Sequence, residues 1–260
     1  MTELYYFALS FFVYGFLGWC TEVAYAAAKQ GKFVNRGFLN GPICPVYGIG
    51  VGVVVQFLTP VENNLVLLYI SSTILVTVIE GITGFLLEKI FHNKWWDYSE
   101  QPLNIGGYVC VLFSLIWGVF CVLIVKIIHP LIYKVLTMIP LVLGIVVMAC
   151  LVVGLLADLY VTASGILKMN RRLEAMEKIA AELKELSDKV GENIYENVME
   201  GMEFREEKKA RIEELKAKYE EMAENRTKVG ERLVKAFPKM QVGQHKEIFE
   251  EVRERIKRSK

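Results

Sequence analysis

Four ionisable side chains lie inside stretches that are otherwise apolar: Glu22, Glu80, Glu88 and Asp158. In hydrocarbon such a group costs about 2.5 to 3.5 kcal/mol on insertion scales, so each one asks for a partner or a task. A carboxyl in that setting can bind a cation, take up and release a proton, or act as a general acid or base, because burial lifts its pKa towards neutrality. Residues three, four or seven apart share a helical face. On that spacing Gly15 and Gly18 line up with Glu22, Gly84 with Glu80, and Gly154 and Thr162 with Asp158. Two uncharged stripes repeat the pattern, one through Gly48, Gly52 and Gln56 and one through Gly107, Ser114, Gly118 and Cys121. Small residues let helices approach closely, and polar groups on the same faces turn away from lipid. A bundle with a polar interior is expected. Glu88 and Asp158 lie close to one boundary, where a carboxylate reaches water, so Glu22 and Glu80 are the stronger functional candidates.

Two irregular loops add polar groups. Asn35 to Gly48 carries Asn35, Arg36 and Asn40 in a stretch too rich in Gly and Pro to be regular helix. Arg36 suits a carboxylate, an anionic headgroup or an anionic substrate, because a guanidinium binds such groups with two parallel bonds. The second loop, Trp95 to Gly107, holds Asp97 and Asn104 beside Trp95, Trp96 and Tyr98. Those three rings are read as anchors at the membrane interface, and Asp97 and Asn104 as candidates to meet Arg36 and Asn35 over the mouth of the bundle.

The elements that must position these groups follow from hydropathy. About 20 apolar residues cross a bilayer as a helix, and five spans are predicted, at 4–28, 44–58, 65–90, 105–128 and 136–164. The second is short and glycine-rich, and fits a tilted or re-entrant segment. Ala24-Tyr25-Ala26 resembles a signal-peptidase site, but no Lys or Arg precedes it, so the first stretch is read as a retained span. Orientation follows from the basic residues, which resist translocation. Lys29, Lys32, Arg36, Lys89, Lys94, Lys168, Arg171 and Arg172 fall on one side, against Lys126 and Lys134 on the other. This predicts a cell-membrane protein with its N-terminus outside and its tail in the cytoplasm.

Only 15 of the 59 charged residues lie in 1–164, so a membrane domain there and a cytoplasmic domain at 165–260 are expected. The tail carries 23 basic and 21 acidic groups, a balance that argues against nucleic-acid binding. Its seam positions step by three and four through Leu173, Met176, Ala180, Leu183, Ser187, Val190 and Ile194, interrupted by the one Ser, and again through Ile212, Leu215, Tyr219, Met222, Arg226, Val229 and Leu233, with Arg226 at a core-type position. Such seams predict a coiled coil that folds back on itself, pairs with a second copy or binds another helix. The fold class is therefore all-α, a polytopic bundle of about five transmembrane helices followed by a long charged helical tail.

The set Gly18-Trp19-Cys20-Thr21-Glu22, the Asn35 to Gly48 loop, Glu80-x-x-Thr83-Gly84-x-x-Leu87-Glu88 and the Trp95 to Asn104 loop resembles the ABC-transporter type IV, or CmpB-like permease, family of small bacterial multipass proteins. The likeness covers about the first 160 residues and implies a permease-like component of a cell membrane. No phosphate loop of the form G-x-x-x-x-G-K-[ST] occurs, so an ATPase would have to be a separate subunit. Neither G-x-S-x-G nor H-E-x-x-H is present, and the five cysteines have no metal-ligand spacing. No cofactor and no metal are expected. Three readings remain: a transport component for a small solute, a membrane-anchored scaffold or sensor acting through its tail, and an intramembrane enzyme using Glu22 or Glu80 as acid or base.

Overall fold

The computed structural model describes residues 2–196, 201–243 and 245–258, with side chains described outside 191–205. Helix accounts for 79% of the chain and sheet for almost none, so the fold is all-α. Two compact units are present, one comprising Met1–Ala163 with Arg232–Gln241, the other Ser164–Glu231 with Val242–Lys260.

The first unit is built on α1 (Thr2–Gln30), α2 (Pro45–Leu58), α3 (Leu65–Phe91), α4 (Val111–Leu123), α5 (His129–Thr137) and the start of α6 (Leu141–Glu196). Among the described residues, four helices are long and apolar enough to cross a membrane: α1, α3, the continuous α4–α5 stretch and α6. The second predicted span is the exception. Helix α2 has 14 residues, about 21 Å of rise against a hydrocarbon core of about 30 Å, so by length it does not cross alone. Its glycines fit it against α1. A Cβ on Gly52 would meet Phe7, one on Gly48 would meet the Phe11 carbonyl, and one on Gly15 would meet Ile43. The step of four from Phe11 to Phe7 on α1 is thus matched by four in the opposite direction on α2, from Gly48 to Gly52, the close antiparallel packing that small stripes permit. Between α2, α3 and α4, Val54, Leu58, Leu68, Cys121 and Val125 form a buried core.

Two boundaries differ from the hydropathy reading. Residues 104–110 form a hairpin, β1 (Asn104–Ile105) pairing antiparallel with β2 (Val109–Cys110), so the fourth span starts at Val111 rather than at Ile105. The hairpin turns at Gly106 and Gly107, whose φ values of +60° and +73° favour glycine. The same span also runs past Ile128 to Thr137, so Lys126 and Lys134 lie in a helix and not in a loop. Continuity is kept through a π-helical turn at Ile124–Ile128. Pro130 explains it: a proline ring clashes with the carbonyl four residues back, and a widened turn relieves that clash.

The second unit contains the latter part of α6, α7 (Gly201–Glu224), most of the first turns of α8 (Lys228–Ala236) and α9 (Lys246–Arg258). Leu173, Met176 and Ile179 on α6 are buried, as are Leu215 on α7 and Phe249, Val252 and Ile256 on α9. Arg211 donates to Glu182 at 3.0 and 3.2 Å, and the Tyr219 hydroxyl to Glu251 at 2.5 Å, so this segment meets its own helices. Helix α6 continues through Gly191 to Glu196; the side chain of Ile194, a predicted seam position, lies outside the described residues.

Candidate functional site

Each of the predicted acids acquires partners, and the two deepest acquire different ones. Glu22, near the end of α1, accepts a 2.6 Å bond from the Tyr47 hydroxyl of α2. Gly18 makes this possible, since a Cβ there would occupy the space of the Tyr47 ring. Arg36 brings its Nε to 3.3 Å from Glu22 Oε2, with both side chains about a quarter exposed (24% and 25%). That Nε has no directed hydrogen bond, so the contact is one of charge more than of geometry. The Arg36 guanidinium also lies over the Tyr25 ring, 5.1 Å from its centre.

Glu80, on α3, accepts only from the Tyr98 hydroxyl, at 3.2 Å. Its other oxygen, Oε2, is buried with no hydrogen-bond partner. Tyr98 belongs to the second loop and stacks on Phe113 of α4, 5.1 Å between centres. Burial and then the Glu80 carboxyl push the Tyr98 phenol up, with smaller contributions from Cys110 and Glu22. The phenol therefore stays protonated and donates. Two hydrogen-bonded pairs, Glu22 with Tyr47 and Glu80 with Tyr98, make up the polar cluster among the apolar helices. Tyr47 also meets Trp117 of α4, at 5.7 Å between centres.

The remaining candidates hold the loops. Asn35 accepts from the Trp19 indole at 2.7 Å and donates to the Asn40 carbonyl at 2.8 Å, which folds the first loop back over α1. Asn40 donates through Nδ2 to Asp158 at 2.8 Å and to Thr162 at 3.0 Å. The Gly41 amide adds a 2.6 Å bond to Asp158. Asp158 is thus consumed in tying α6 to the first loop. In the second loop, Asn104 donates to the carbonyls of Ser99 and Gln101 and accepts from the Gly107 amide. Asp97 takes the Ser99 amide and hydroxyl and Lys94 at 3.0 Å. Burial lifts the Asp97 carboxyl, but the Ser99 and Lys94 bonds outweigh it and bring the carboxyl down to about 2. Glu88 takes a hydrogen bond from Tyr108, whose phenol is pushed up by burial and then by that bond.

The structure does not bring Asp97 or Asn104 to Arg36 or Asn35: Arg36 meets Glu22, Asn35 meets Trp19 and Asn40, Asp97 meets Ser99, Lys94 and Gln241, and Asn104 stays within its own loop. Trp95 is only 3% exposed, packed between Phe38 and Phe237 with centres 5.1 and 5.2 Å away. Trp96 donates to the Tyr108 carbonyl at 2.8 Å. These two indoles hold loop to loop and loop to hairpin.

Three groups were not found by reading the sequence. Tyr47 carries no signal of its own in the Asn35 to Gly48 stretch; its place in the first turn of α2, opposite Gly18, is what lets it reach Glu22. Tyr14 donates to or accepts from His129 Nδ1 at 2.8 Å, joining α1 to the start of α5; Tyr14 lies on the same stripe as Gly18 and Glu22, the one available signal. Arg232 had no local signal at all. It donates to the carbonyls of Gly37 and Phe38, each at 2.8 Å, and to Asn40 Oδ1 at 3.0 Å. Burial pushes its guanidinium down and the Asp158 carboxylate partly offsets this.

Among the described residues, no group of three His, Cys, Asp or Glu side chains is placed to hold a metal ion. No curated protein and no solved structure matches the chain. A family model described as Putative ABC-transporter type IV matches residues 9–163, a stretch that takes in Glu22, Arg36, Tyr47, Glu80, Tyr98 and Asp158 and leaves out Arg232. With more than half of its length matched, and Glu22, Glu80, Glu88 and Asp158 inside the matched part, the chain belongs to the Putative ABC-transporter type IV family.

Proposed function

We propose that this transport-related membrane protein is a permease-like component in which the Glu22–Tyr47–Tyr98–Glu80 cluster receives a small solute or the proton coupled to it. The observation that carries the reading is the Glu80 oxygen left without a partner inside the bundle. A buried carboxyl oxygen with no donor is a costly arrangement, and it becomes economical when a proton or a positively charged group arrives during a working cycle. The surrounding Tyr98, Phe113, Tyr47 and Trp117 rings offer hydroxyls and aromatic faces to such a guest. With α2 and the loop before it counted together as one passage across the bilayer, the cytoplasmic side is assigned to the loops and the tail because eight basic residues gather there. Energy would come from a separate ATPase subunit or from the proton itself.

The test is gentle extraction from the native membrane through an affinity tag, with mass spectrometry of co-purifying proteins and small molecules. An ATPase at stoichiometric level, or a small molecule lost in Glu80→Gln while melting shifts by less than about 1 kcal/mol, supports the permease reading. A preparation with neither overturns it. The scaffold reading rests on the second unit, whose α6, α7 and α9 residues bury a core of their own. A non-ATPase protein captured by full-length chain and lost on deletion of 171–260 would favour it.

A further inference from the structure

Ten residues from the far end of the chain, Arg232–Gln241, group with the membrane unit, whereas the segments that flank them group with the other. At one end, Arg232 spreads its guanidinium over the first loop, with Nη1 on the Gly37 carbonyl, Nη2 on the Phe38 carbonyl and Nε on Asn40 Oδ1. A planar fork matches two successive carbonyls in a way that a lysine ammonium cannot. At the other end, the Phe237 ring meets Trp95 edge to face and Gln241 donates to Asp97 Oδ2 at 3.1 Å. Lys239 adds an exposed contact with Glu100 at 3.5 Å, of little energetic weight. One short segment therefore grips both loops.

These loops are the ones that complete the acid cluster. The first presents Arg36 to Glu22 and the second presents Tyr98 to Glu80. Asn40 joins the grip to the bundle, accepting from Arg232 while donating to Asp158 and Thr162. We infer that Arg232–Gln241 is an intramolecular strap, seated on a recognition surface formed jointly by residues 36–41 and 95–100, which holds both loops closed over Glu22 and Glu80. Besides these hydrogen bonds and the ring pair, the segment buries Leu233, Ala236 and Met240, and Gln241–Val242 pairs with Asn93–Lys94, so its release is a local unfolding step. When the strap leaves, Arg36 and Tyr98 are free to move from their acids. The inference depends on the loops alone and holds whatever the bundle carries.

Amide hydrogen exchange on the full chain in lipid nanodiscs, read by mass spectrometry, tests it with Arg232→Ala and Phe237→Ala. Each variant, although altered at one end of the strap, is expected to speed exchange about tenfold or more in both 36–41 and 95–107, with α3 unchanged. Arg232→Lys should fall between wild type and Arg232→Ala. Unchanged loop amides in both variants overturn the strap. So does a response confined in each variant to the loop it touches, which would make these two separate contacts. Loss of protection throughout α3 in both variants also overturns it, since the segment would then be part of the bundle core.

Discussion

Glu22 and Glu80 are both carboxyls on apolar helices, both held by a tyrosine, and yet they are left in different states. Glu22 has a cation beside it and a hydroxyl on it, supplied by two neighbouring elements, Arg36 and Tyr47. Glu80 has a hydroxyl alone, and an oxygen with nothing on it. A charge in a low-dielectric setting is tolerated when paired and expensive when not. The first region therefore reads as a completed ion pair that shapes the loop, and the second as a vacancy in the hydrogen-bond scheme. Sequence placed the two acids on a par; their partners separate them.

The largest effect expected from breaking this contrast comes from Arg36→Ala. Stripping the cation from Glu22 should destabilise the solubilised protein by about 2 to 3 kcal/mol, below the usual 3 to 5 for a fully buried pair because both side chains keep some exposure. Thermal unfolding measures it, and adding Glu22→Gln should recover most of the loss; no recovery would mean that Arg36 acts through something other than its pair. Next comes Gly107→Ala, expected to cost about 2 kcal/mol because φ is +73° and the new methyl would run into Asp97, Lys94 and Ser99. That loop carries Tyr98, so the variant should disturb the Glu80 region and leave Glu22 with Arg36, a split visible in site-resolved exchange.

A finer comparison sets Tyr98→Phe against Tyr47→Phe. The former leaves Glu80 without its hydroxyl partner, the latter leaves Glu22 still beside Arg36, so Tyr98→Phe should cost about 1 kcal/mol more. Equal melting temperatures would abolish the distinction drawn between the two acids. The smallest effect concerns pH. The folded Asp97 carboxyl is held at about 2, below the value near 4 of an unfolded chain. Its contribution is therefore complete above about pH 4 and fades as pH falls towards 2. Asp97→Asn should flatten that part of the stability profile, measured by unfolding between pH 2 and 5.

The bundle was legible where physics is local. Runs of apolar residues located α1, α3 and α6, and the four-residue stripes of glycine announced the faces on which α1 and α2 meet. The short α2 was legible too, since 14 residues cannot do the work of 20. The fourth span was misplaced at both ends for two reasons. Ile105, Val109 and Cys110 are as apolar as a membrane helix although Gly106 and Gly107 turn them into a hairpin, and Pro130 reads as a stop although a π-helical turn absorbs it. The acids and the guanidinium of Arg36 were found because burying charge is conspicuous, whereas the hydroxyl partners were not, because Tyr47 and Tyr98 are ordinary residues until the fold delivers them. Trp95 illustrates the limit most sharply: beside a span an indole suggests the lipid interface, and only the Phe38 and Phe237 rings on either side give it a place inside the protein.

The π-helical turn at Ile124–Ile128 sets the phase of everything after it. A regular helix rotates about 100° per residue, so one residue more or fewer in that turn swings His129 and Tyr133 round the axis by more than a quarter of a revolution. His129 would then face away from Tyr14, and Tyr133 away from the Tyr6 ring it now meets at 5.2 Å. Lengthening or shortening this stretch by a single residue therefore rewires the contact between the first and fourth spans without altering the hydropathy of either. Point substitutions among Ile124, Val125, Ile127 and Ile128 should pass far more easily than any insertion or deletion between them.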